Sequence, residues 1–569
     1  MRADCESCES KDAELARLRA QNEDLLAQLR EVEKQCTLLE GELERYEALF
    51  KQSQPNRPEH VAPGQLQLAF EQVIASFAGA QPANDAGAQA SADPSKPEPS
   101  TPPSPPSKPE NKPPSKPHGR RRLDASKLPV HEEVIIPDEV RAAGGIGFIR
   151  IGEEVSERIA FRPASFILLR TILARFARVP ALLEASSAPI VQASVPPNLW
   201  PRVMGDVSAI VEIILAKYDM SLPLHRQQRV SPRHGFYLPR STQCDWLALA
   251  YGYLYRIVDA MMVEACAKAF CIGTDATGAP VRMPGACANW HVFVFIADRD
   301  HVIFRASAEH TGDAITLLLQ GFRGFLLSDA ASIYDVLHRE HGMTAVYCWA
   351  HVRRYFWNCR DTHPSLAMEA LAIIAQLFDV ERTTKSLPMP ERTAERARQV
   401  TPVLTLFDQW VERVRPKLEP RTPLQAAITY YDNQREGLRR FLDDGRLPID
   451  NNGCERELRS LVVGLHNWNF FENPAGLRWY STFRSLIASC ALHGLEPQHY
   501  LDEILRLAPH WPTTRLLELS PKYWPATRAS LSEEHRAALR SPFETTTHRA
   551  ADSPPRADKP PDLVPERAA

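Results

Sequence analysis

The sequence predicts a multidomain α/β protein. At 569 residues the chain is too long for a single core, since domains average roughly 150 residues. Between residues 269 and 347, apolar runs of strand length alternate with helical patterns, which is typical of an α/β domain. A proline-rich stretch separates the middle of the chain from a helical N-terminal segment. We therefore expect several structural units joined by linkers.

Residues 1–52 are predicted to form a coiled coil of the leucine-zipper type. Apolar side chains recur at alternating steps of three and four residues, and Asn22 falls at an a position, where buried amides fix the register of a parallel dimer. A single amphipathic helix packed on its own domain is the alternative. The seam, which predicts a homodimer or higher oligomer, consists of Leu15, Leu18, Asn22, Leu25, Leu29, Val32, Cys36, Leu39, Leu43, Tyr46 and Phe50.

Residues 53–127 are predicted to be a disordered linker. Between Pro94 and Pro117, eleven of 24 residues are proline, and such a composition cannot bury a core. Three arginines near its end, Arg120, Arg121 and Arg122, either contact phosphate or remain solvated. The proline-rich tail over 543–569 is also expected to be disordered.

Charge and cysteine usage narrow the protein class. The net charge is 67 minus 70, or −3, but residues 1–50 hold 13 acidic and 7 basic side chains, so the remaining chain is slightly basic. The balance therefore does not exclude a nucleic-acid partner. Eleven scattered cysteines without a signal-peptide pattern predict a reducing, cytoplasmic location. No apolar run approaches ~18 residues, so no membrane partner is expected.

Two segments precede the α/β region. Residues 131–178 are predicted to form short strands followed by a helix. The segment 181–262 is predicted to be helical, with two short helices around a break at His234, Gly235 and Phe236 that resemble a helix-turn-helix. Plain helical packing with solvated arginines is equally compatible with this pattern. The DNA-facing candidates are Arg226, Arg229, Arg233, Arg240 and Thr242.

Residues 263–488 are predicted to form the catalytic core. Three neighbouring strands followed by alternating helices and strands is the order of a ribonuclease H-like fold. A helical insertion is expected over about 365–445, followed by a helix that starts near Asn452. Residues 489–542 are expected to form a small C-terminal domain.

Three acidic residues suit a phosphodiester-cleaving site. Asp275 and Asp329 each end an apolar run and are expected at strand ends of one sheet, while Glu455 opens a helix. Two-metal cleavage needs oxygen ligands that hold two ions ~3.5–4 Å apart, and Mg²⁺ prefers carboxylates. The three acids are therefore predicted to be the catalytic residues and the metal ligands. Each acid alone is a weak signal, because an aspartate after a strand is usually a turn or cap residue.

Other acids near these positions have simpler interpretations. Asp298 and Asp300 lie between two apolar runs, which indicates a hairpin turn. Asp450 precedes a helix, so capping is favoured over metal ligation. Glu457 lies two positions after Glu455 and is expected to face away from it.

Four further arginines are predicted to contact DNA: Arg353, Arg354, Arg456 and Arg459. Arg459 lies four residues after Glu455, so an ordinary ion pair on the helix is the alternative. Cys348 and His351 have a zinc-ligand spacing, but buried packing is the favoured interpretation because no second pair is evident. Cys5 and Cys8 are a similar lone pair. Trp468 is interpreted as a core residue more readily than as a base-stacking platform.

Several strings resemble one known family. In chain order they are YDMSLPLHRQQ, RSTQCDW, GFLLSDAASIYD, CWAHVRRYF, DNNGCERELR and HNWNFF. Together they resemble the large transposase of the insertion-sequence sixty-six family, over roughly residues 120–510. The resemblance implies a zipper, a zinc-binding segment, a helical DNA-binding region, a ribonuclease H-like DDE core and a short C-terminal domain. It also implies that the catalytic acids are Asp275, Asp329 and Glu455.

The chain departs from the family pattern at three places. Residues 128–180 correspond to the zinc-binding segment but contain no cysteine, so a degenerate segment without zinc is expected. The family's Gly-Arg-Lys before Asn-Trp is replaced by Gly464, Leu465 and His466. An alanine, Ala276, follows the first catalytic aspartate where the family commonly has glutamate.

The expected function is transposition of an insertion sequence. The protein would bind terminal inverted repeats, cut at the element ends with two Mg²⁺ or Mn²⁺ ions, and transfer the freed 3′ ends to target DNA. The expected partners are double-stranded DNA, a second copy of the chain and accessory transposition proteins, in a cytoplasmic, nucleoid-associated setting. The alternatives are a catalytically inactive, dimeric DNA-binding regulator derived from a transposase and a structure-specific nuclease.

Overall fold

The computed structural model describes residues 61–77, 128–162, 165–179, 190–195 and 203–541. The coiled-coil prediction for residues 1–52, the predicted tail over 543–569, Arg120 to Arg122, and the Cys5 and Cys8 pair lie outside the described residues. The same holds for most of the predicted linker, in which helix α1 (Pro63–Phe77) is described. Chain contacts divide the protein between residues 71 and 72, and every element after α1 belongs to the second unit.

The first sheet lies where a degenerate zinc-binding segment was predicted. It contains β1 (Val130–Ile135), β2 (Phe148–Arg162), β3 (Ser165–Arg178) and β4 (Ile190–Gln192), with α2 (Asp138–Ala142) between the first two strands. The order is β1-β3-β2, and β4 also pairs with β3.

The predicted helix near the end of 131–178 is wrong, because those residues form strand β3. As the central strand, β3 is buried along most of its length on both faces. A strand buried on both faces shows a continuous apolar run without alternation, so its pattern is not separable from that of a buried helix.

The second sheet has the order β7-β6-β5-β8-β9. Its strands are β5 (Cys271–Met283), β6 (Ala286–Ala297), β7 (His301–Ser307), β8 (Phe325–Ser328) and β9 (Thr344–Tyr347). The first three pair antiparallel, whereas β5, β8 and β9 pair parallel. The predicted hairpin turn is confirmed between β6 and β7, where Asp298 and Arg299 have positive φ. Asp298 also accepts the backbone N–H groups of Phe270 and Cys271. The protein is therefore a mixed α/β fold, as predicted.

Helices before the second sheet differ in length from the prediction. They are α3 (Val207–Tyr218), α4 (Leu224–Val230) and α5 (Arg240–Lys268), with a 3₁₀ turn over Ser231–His234 and Gly235 at φ +90°. The break is therefore confirmed, but the second helix is not short, since α5 runs for 29 residues. Its apolar side chains, including Leu254 and Ile257, enter the main core, and this burial extends the helix beyond a recognition-helix length.

The remaining helices follow in chain order. Helix α6 (Gly312–Leu318) lies between β7 and β8 along the chain, α7 (Asp335–Glu340) lies between β8 and β9, and α8 (Trp349–Asn358) follows β9. Residues 364–439 contain α9 (Pro364–Thr384), α10 (Met389–Val414) and α11 (Pro423–Arg439). The later helices are α12 (Asn452–Trp468), α13 (Pro474–Leu492), α14 (Pro497–Leu507), α15 (Trp524–Ala529) and α16 (Glu533–Leu539). No helix among the described residues is long and apolar enough to cross a membrane.

Helix α13 covers the edge strand β7 through hydroxyl groups. Ser489 Oγ accepts the backbone N–H of Val302 at 3.0 Å, and Ser485 Oγ accepts that of Phe304 at 2.8 Å. An open sheet edge is a template for unwanted strand pairing. The two serines therefore satisfy backbone donors that a bare edge would leave exposed.

A buried ion-pair network joins the first sheet to the C-terminal helices. Asp206 precedes α3 and accepts hydrogen bonds from Arg158 of β2 at 3.1 Å and from Arg506 of α14 at 2.8 Å. The side chains of Asp206 and Arg506 are both 0% exposed. The apolar residues of α14 pack in the same core cluster as those of α3. The predicted C-terminal segment is therefore packed on the body of the fold.

We expect Arg506→Leu to lower the free energy of unfolding by about 3–5 kcal/mol, because it leaves a buried carboxylate short of its main partner. Urea unfolding of the purified protein measures this loss. The control is Arg515→Leu, because the Arg515–Glu518 pair is exposed and such pairs contribute about 0–1 kcal/mol. Equal losses in the two variants would contradict a stabilising role for the network.

The same network predicts a dependence of stability on acid pH. Burial raises the pKa of Asp206, but the guanidinium groups of Arg506 and Arg158 outweigh it and lower the pKa from 3.8 to about 2. The stabilisation is therefore present above pH ~4 and is lost as the pH falls through about 2. We expect the stability difference between wild type and Asp206→Asn to narrow by about 2 kcal/mol over this range. A difference that stays constant with pH would contradict the assignment.

Candidate active site

Asp275 and Asp329 each follow a residue of one parallel strand pair. Gly273 of β5 pairs with Leu327 of β8, and each aspartate comes two residues after its member of that pair. Because Gly273 and Leu327 are paired on strands about 4.8 Å apart, the positions of the two aspartates are brought near each other where the parallel pairing ends. The sequence prediction that these two acids meet is therefore supported by the strand register.

Only one of the two aspartates lies at a strand end. Asp329 directly follows β8, as predicted. Asp275 was also predicted at a strand end, and this is wrong, because β5 continues to Met283 through antiparallel pairing with β6. The parallel pairing with β8 does stop at Gly273. Asp275 thus lies at the end of the parallel part of the sheet, within a longer hairpin strand.

Glu455 reaches the sheet from the first turn of α12. Asn451, the residue before the helix, donates from Nδ2 to the backbone oxygen of Thr274 at 2.8 Å. Gly273 allows this approach, since a Cβ there would lie 3.2 Å from Cys454 Sγ and 3.3 Å from Asn451 Oδ1. The start of α12 is therefore held against Thr274, the residue directly before Asp275.

The charges of the other two acids act on Asp275. Burial is the main cause that raises the pKa of Asp275 to about 7; the negative charges of Asp329 and Glu455 also raise this pKa, while the hydrogen bond from the backbone N–H of Ala276 and the charge of Arg354 lower it. Like charges gathered in a partly buried place are unfavourable without a cation. The donor set therefore fits a hard divalent ion.

Arg354 holds Glu455 in the described conformation. Its Nη2 donates to Glu455 Oε2 at 3.2 Å, and His351 Nε2 lies 3.6 Å from Oε1, beyond hydrogen-bond distance. Glu455 Oε1 is buried and accepts no hydrogen bond. Within the described ranges, no three His, Cys, Asp or Glu side chains are close enough together to hold a metal ion. Glu455 is thus hydrogen-bonded to Arg354 in this structure and does not yet share a site with Asp275 and Asp329.

The other predicted roles near Glu455 have mixed outcomes. The alternative i, i+4 ion pair with Arg459 is absent among the described residues, where the partner of Glu455 is Arg354. Glu457 faces away, as predicted, and accepts from Arg484 at 3.0 Å. The N-cap of α12 is Asn451, and Asp450, one residue earlier, accepts the backbone N–H of Asn452 at 3.1 Å.

Cys348 is buried beside the start of α12. Its Sγ accepts the backbone N–H of Asn451 at 3.1 Å, and burial raises the pKa of this thiol to about 12. The packing interpretation is therefore confirmed for Cys348, which helps to anchor the start of α12.

Four predicted DNA-binding arginines are exposed around the break between α4 and α5: Arg226, Arg229, Arg233 and Arg240. Three of these arginines influence His225. Burial lowers the pKa of His225, and the positive charges of Arg226, Arg240 and Arg229 also lower it. Arg226 Nη1 donates to Asn467 Oδ1 near the end of α12 at 3.0 Å. This basic cluster, defined by Arg226, Arg229 and Arg240, thus contacts the helix that carries Glu455.

The exposed face of α12 runs between Glu455 and the basic cluster. Arg456 and Arg459 are exposed on it, whereas Arg353 of α8 is half-buried. Trp468, at the end of α12, packs back on its own helix, because a Cβ on Gly464 would lie 2.2 Å from its ring. Lys217 Nζ lies 4.6 Å from the centre of that ring. The core interpretation of Trp468 therefore fits its surroundings better than an open stacking platform.

Sequence reasoning did not identify Asn451 or Gly273. An interior strand glycine often marks a close approach of another segment, and that signal was available. The side-chain bond from Asn451 spans 177 residues and has no local signature.

Comparisons with known proteins bear on the same region. The family model described as Transposase IS66 family matches residues 202–478. Two relatives from Sinorhizobium fredii (strain NBRC 101917 / NGR234) are called uncharacterized proteins y4hP and y4qI. The first is 27% identical over 421 residues, 69% of this chain and 75% of the relative, and the second 27% over 417, covering 70% and 76%. The matched residues include all three acids, so this region of the chain is similar to the IS66 family of transposases.

Proposed function

We propose that the protein is a DDE transposase with a ribonuclease H-like core that cuts the ends of an insertion sequence and joins them to target DNA. The observation that carries the proposal is the register of β5 and β8, which brings the chain positions of Asp275 and Asp329 together, with Glu455 near enough for its charge to raise the pKa of Asp275. The family match over residues 202–478 supports the same activity. The sheet order β7-β6-β5-β8-β9, with three antiparallel strands followed by two parallel ones, supports the fold.

The three acids are the proposed ligands for two Mg²⁺ or Mn²⁺ ions. When bound, such ions activate the attacking oxygen and stabilise the leaving oxygen of a phosphodiester. The chain's own contribution is to hold the carboxylates on rigid elements and to orient the phosphate beside them. Arg354 would turn from Glu455 towards a DNA phosphate when a cation occupies the site. No covalent enzyme intermediate is required, so no serine or tyrosine nucleophile is assigned.

The proposed DNA surface runs from the acids along α12 to the basic cluster. Twelve residues separate Glu455 from Asn467, which corresponds to about 18 Å of helix. The arginines along this line, Arg456 and Arg459, and the cluster at its far end are exposed. Arg233 and Arg353 flank the line. This length spans about half a turn of duplex DNA, so one element end would contact both places.

Pairing of two protomers is proposed to occur through the predicted coiled coil at residues 1–52. A dimer would bring two element ends together before strand transfer. Accessory transposition proteins are proposed partners on the basis of the family resemblance. Removal of residues 1–52 would then abolish joined products that contain two ends, and sedimentation of the truncated protein would report the loss of pairing.

The test uses the purified full chain, labelled DNA that carries the element's terminal repeats, and a scrambled duplex of equal length. With Mg²⁺ we expect cutting and joining on the repeats and neither on the scrambled DNA. Binding to the repeats without cutting or joining would instead identify an inactive regulator. Equal cutting of both duplexes would identify a nuclease. The same reactions in chelator define the metal-free background.

A further inference from the structure

Helix α11 of the segment 364–439 contacts the loop that carries Asp329. The hydroxyl of Tyr430 donates to the backbone oxygen of Asp329 at 2.9 Å. The two residues are 101 positions apart, so the bond joins separate elements. It acts on the backbone of the proposed metal ligand, not on its carboxylate.

Local contacts alone hold this loop weakly. Asp329 Oδ1 accepts the backbone N–H of Ala331 at 3.1 Å, and Ser328 Oγ accepts that of Ala330 at 3.3 Å. Ala330 has φ +64°, a left-handed conformation that is unfavourable for a non-glycine residue. A strained turn persists only where its surroundings hold it, and Tyr430 supplies such a contact.

The ring of Tyr430 is itself fixed by α8. It stacks on Tyr355 with ring centres 4.4 Å apart and planes at 23°. Tyr355 directly follows Arg354, whose guanidinium contacts Glu455. The stacked pair therefore connects the loop of Asp329 with the helix that engages Glu455.

The packing of α11 against β9 and α8 leaves the helix little freedom. Trp349 Nε1 donates to the backbone oxygen of Leu438 at 2.7 Å, and Trp349 is 0% exposed. A Cβ on Gly437 would lie 2.4 Å from the ring of Tyr347, so the two surfaces meet closely.

We propose that Tyr430 is a positioning residue that sets the Asp329 carboxylate at the distance needed to share a metal ion with Asp275. This inference rests on the proposed function. It gives α11 a role at the catalytic centre in addition to its packing role. Tyr430 touches neither the reacting atoms nor a metal ligand atom and acts only through the backbone of Asp329.

The test compares Tyr430→Phe with Tyr431→Phe. Tyr431 is the adjacent residue on the same helix, and its hydroxyl donates to Asp408 Oδ1 at 2.6 Å, within the helical segment. Both variants lose one phenol hydroxyl, but only Tyr430→Phe changes a contact to the Asp329 loop. Thermal unfolding of both proteins shows how much each loss affects the fold.

The readouts are Mn²⁺ affinity, from electron paramagnetic resonance titration of the full chain, and the Mn²⁺ concentration for half-maximal cutting of labelled ends. We expect Tyr430→Phe to weaken Mn²⁺ binding and raise that concentration by roughly fivefold, as for the loss of one net hydrogen bond. Tyr431→Phe should leave both unchanged. Tyr355→Leu removes the ring that stacks on Tyr430 without changing any residue of α11. It should shift the Mn²⁺ affinity and the half-maximal Mn²⁺ concentration in the same direction as Tyr430→Phe.

The outcomes separate this inference from the proposed function. Unchanged Mn²⁺ affinity in Tyr430→Phe, or an equal shift in Tyr431→Phe, overturns the positioning role. If the wild type does not cut but binds Mn²⁺ in a way that Asp329→Asn abolishes, the proposed function fails, and the affinities still decide the role of Tyr430. If Asp329→Asn does not affect Mn²⁺ binding, both the metal site and the positioning role are wrong.

Discussion

Asp329→Asn is expected to abolish Mg²⁺-dependent cutting, with a loss of at least about a thousandfold, while binding to element ends is retained. An amide keeps the size and the backbone hydrogen bonds of the residue but removes the negative charge that a hard cation requires. The adjacent Asp275 cannot compensate, because it is itself one of the three proposed ligands. Gel-based cleavage and a binding titration on the same labelled DNA measure the two effects separately.

The matched control for this variant is Asp313→Asn. Asp313 lies in the first turn of α6 and is exposed, so the same exchange there should leave cutting within about twofold of wild type. Undiminished cutting by Asp329→Asn would refute the assignment of this residue as a ligand. Loss of DNA binding along with cutting would indicate instead that the exchange had damaged the fold.

Neutralising the basic cluster is expected to give the second-largest effect. The triple variant Arg226→Ala, Arg229→Ala and Arg240→Ala removes three exposed cations near α12. If each contacts one phosphate, the slope of log binding constant against log salt should fall by about 2.7, at ~0.9 per phosphate. Fluorescence anisotropy with the terminal-repeat DNA at several salt concentrations measures this slope.

Residues 364–439, which contain α9, α10 and α11, offer a control with equal charge loss. Arg382, Arg398 and Arg415 are exposed, and each is ion-paired with a neighbouring acid. Their triple alanine variant should leave the salt slope unchanged, because these arginines lie outside the proposed DNA surface. An equal decrease in both variants would show that net charge, not this cluster, governs binding.

The sequence predicted the second sheet more successfully than the first. Strands β5, β6 and β7 were visible because each apolar run is bounded by turn residues, and the Asp298 hairpin was identified on the same basis. Strand β3 was misread because a central strand buried on both faces lacks the two-residue alternation. Helix α5 was read as short because packing in the core, not its local pattern, extends it to Lys268.

The site was predictable only in part for a similar physical reason. The acids could be selected from the sequence because carboxylates are the side chains that Mg²⁺ prefers. The register of β5 and β8 then brings the position of Asp275 near that of Asp329. The residues that fix their positions carry no such signal. Asn451 and Tyr430 act through single hydrogen bonds to distant backbone oxygens. The coiled coil at residues 1–52 stays a prediction, since it lies outside the described residues.

The central claim is that the carboxylates of Asp275, Asp329 and Glu455 form one metal site. The most direct measurement is anomalous diffraction from crystals of the protein bound to its terminal-repeat DNA and soaked with Mn²⁺. We predict anomalous peaks bounded by these three carboxylates, with Arg354 turned away from Glu455. Peaks elsewhere, or none between the three acids while Arg354 still contacts Glu455, would contradict the claim.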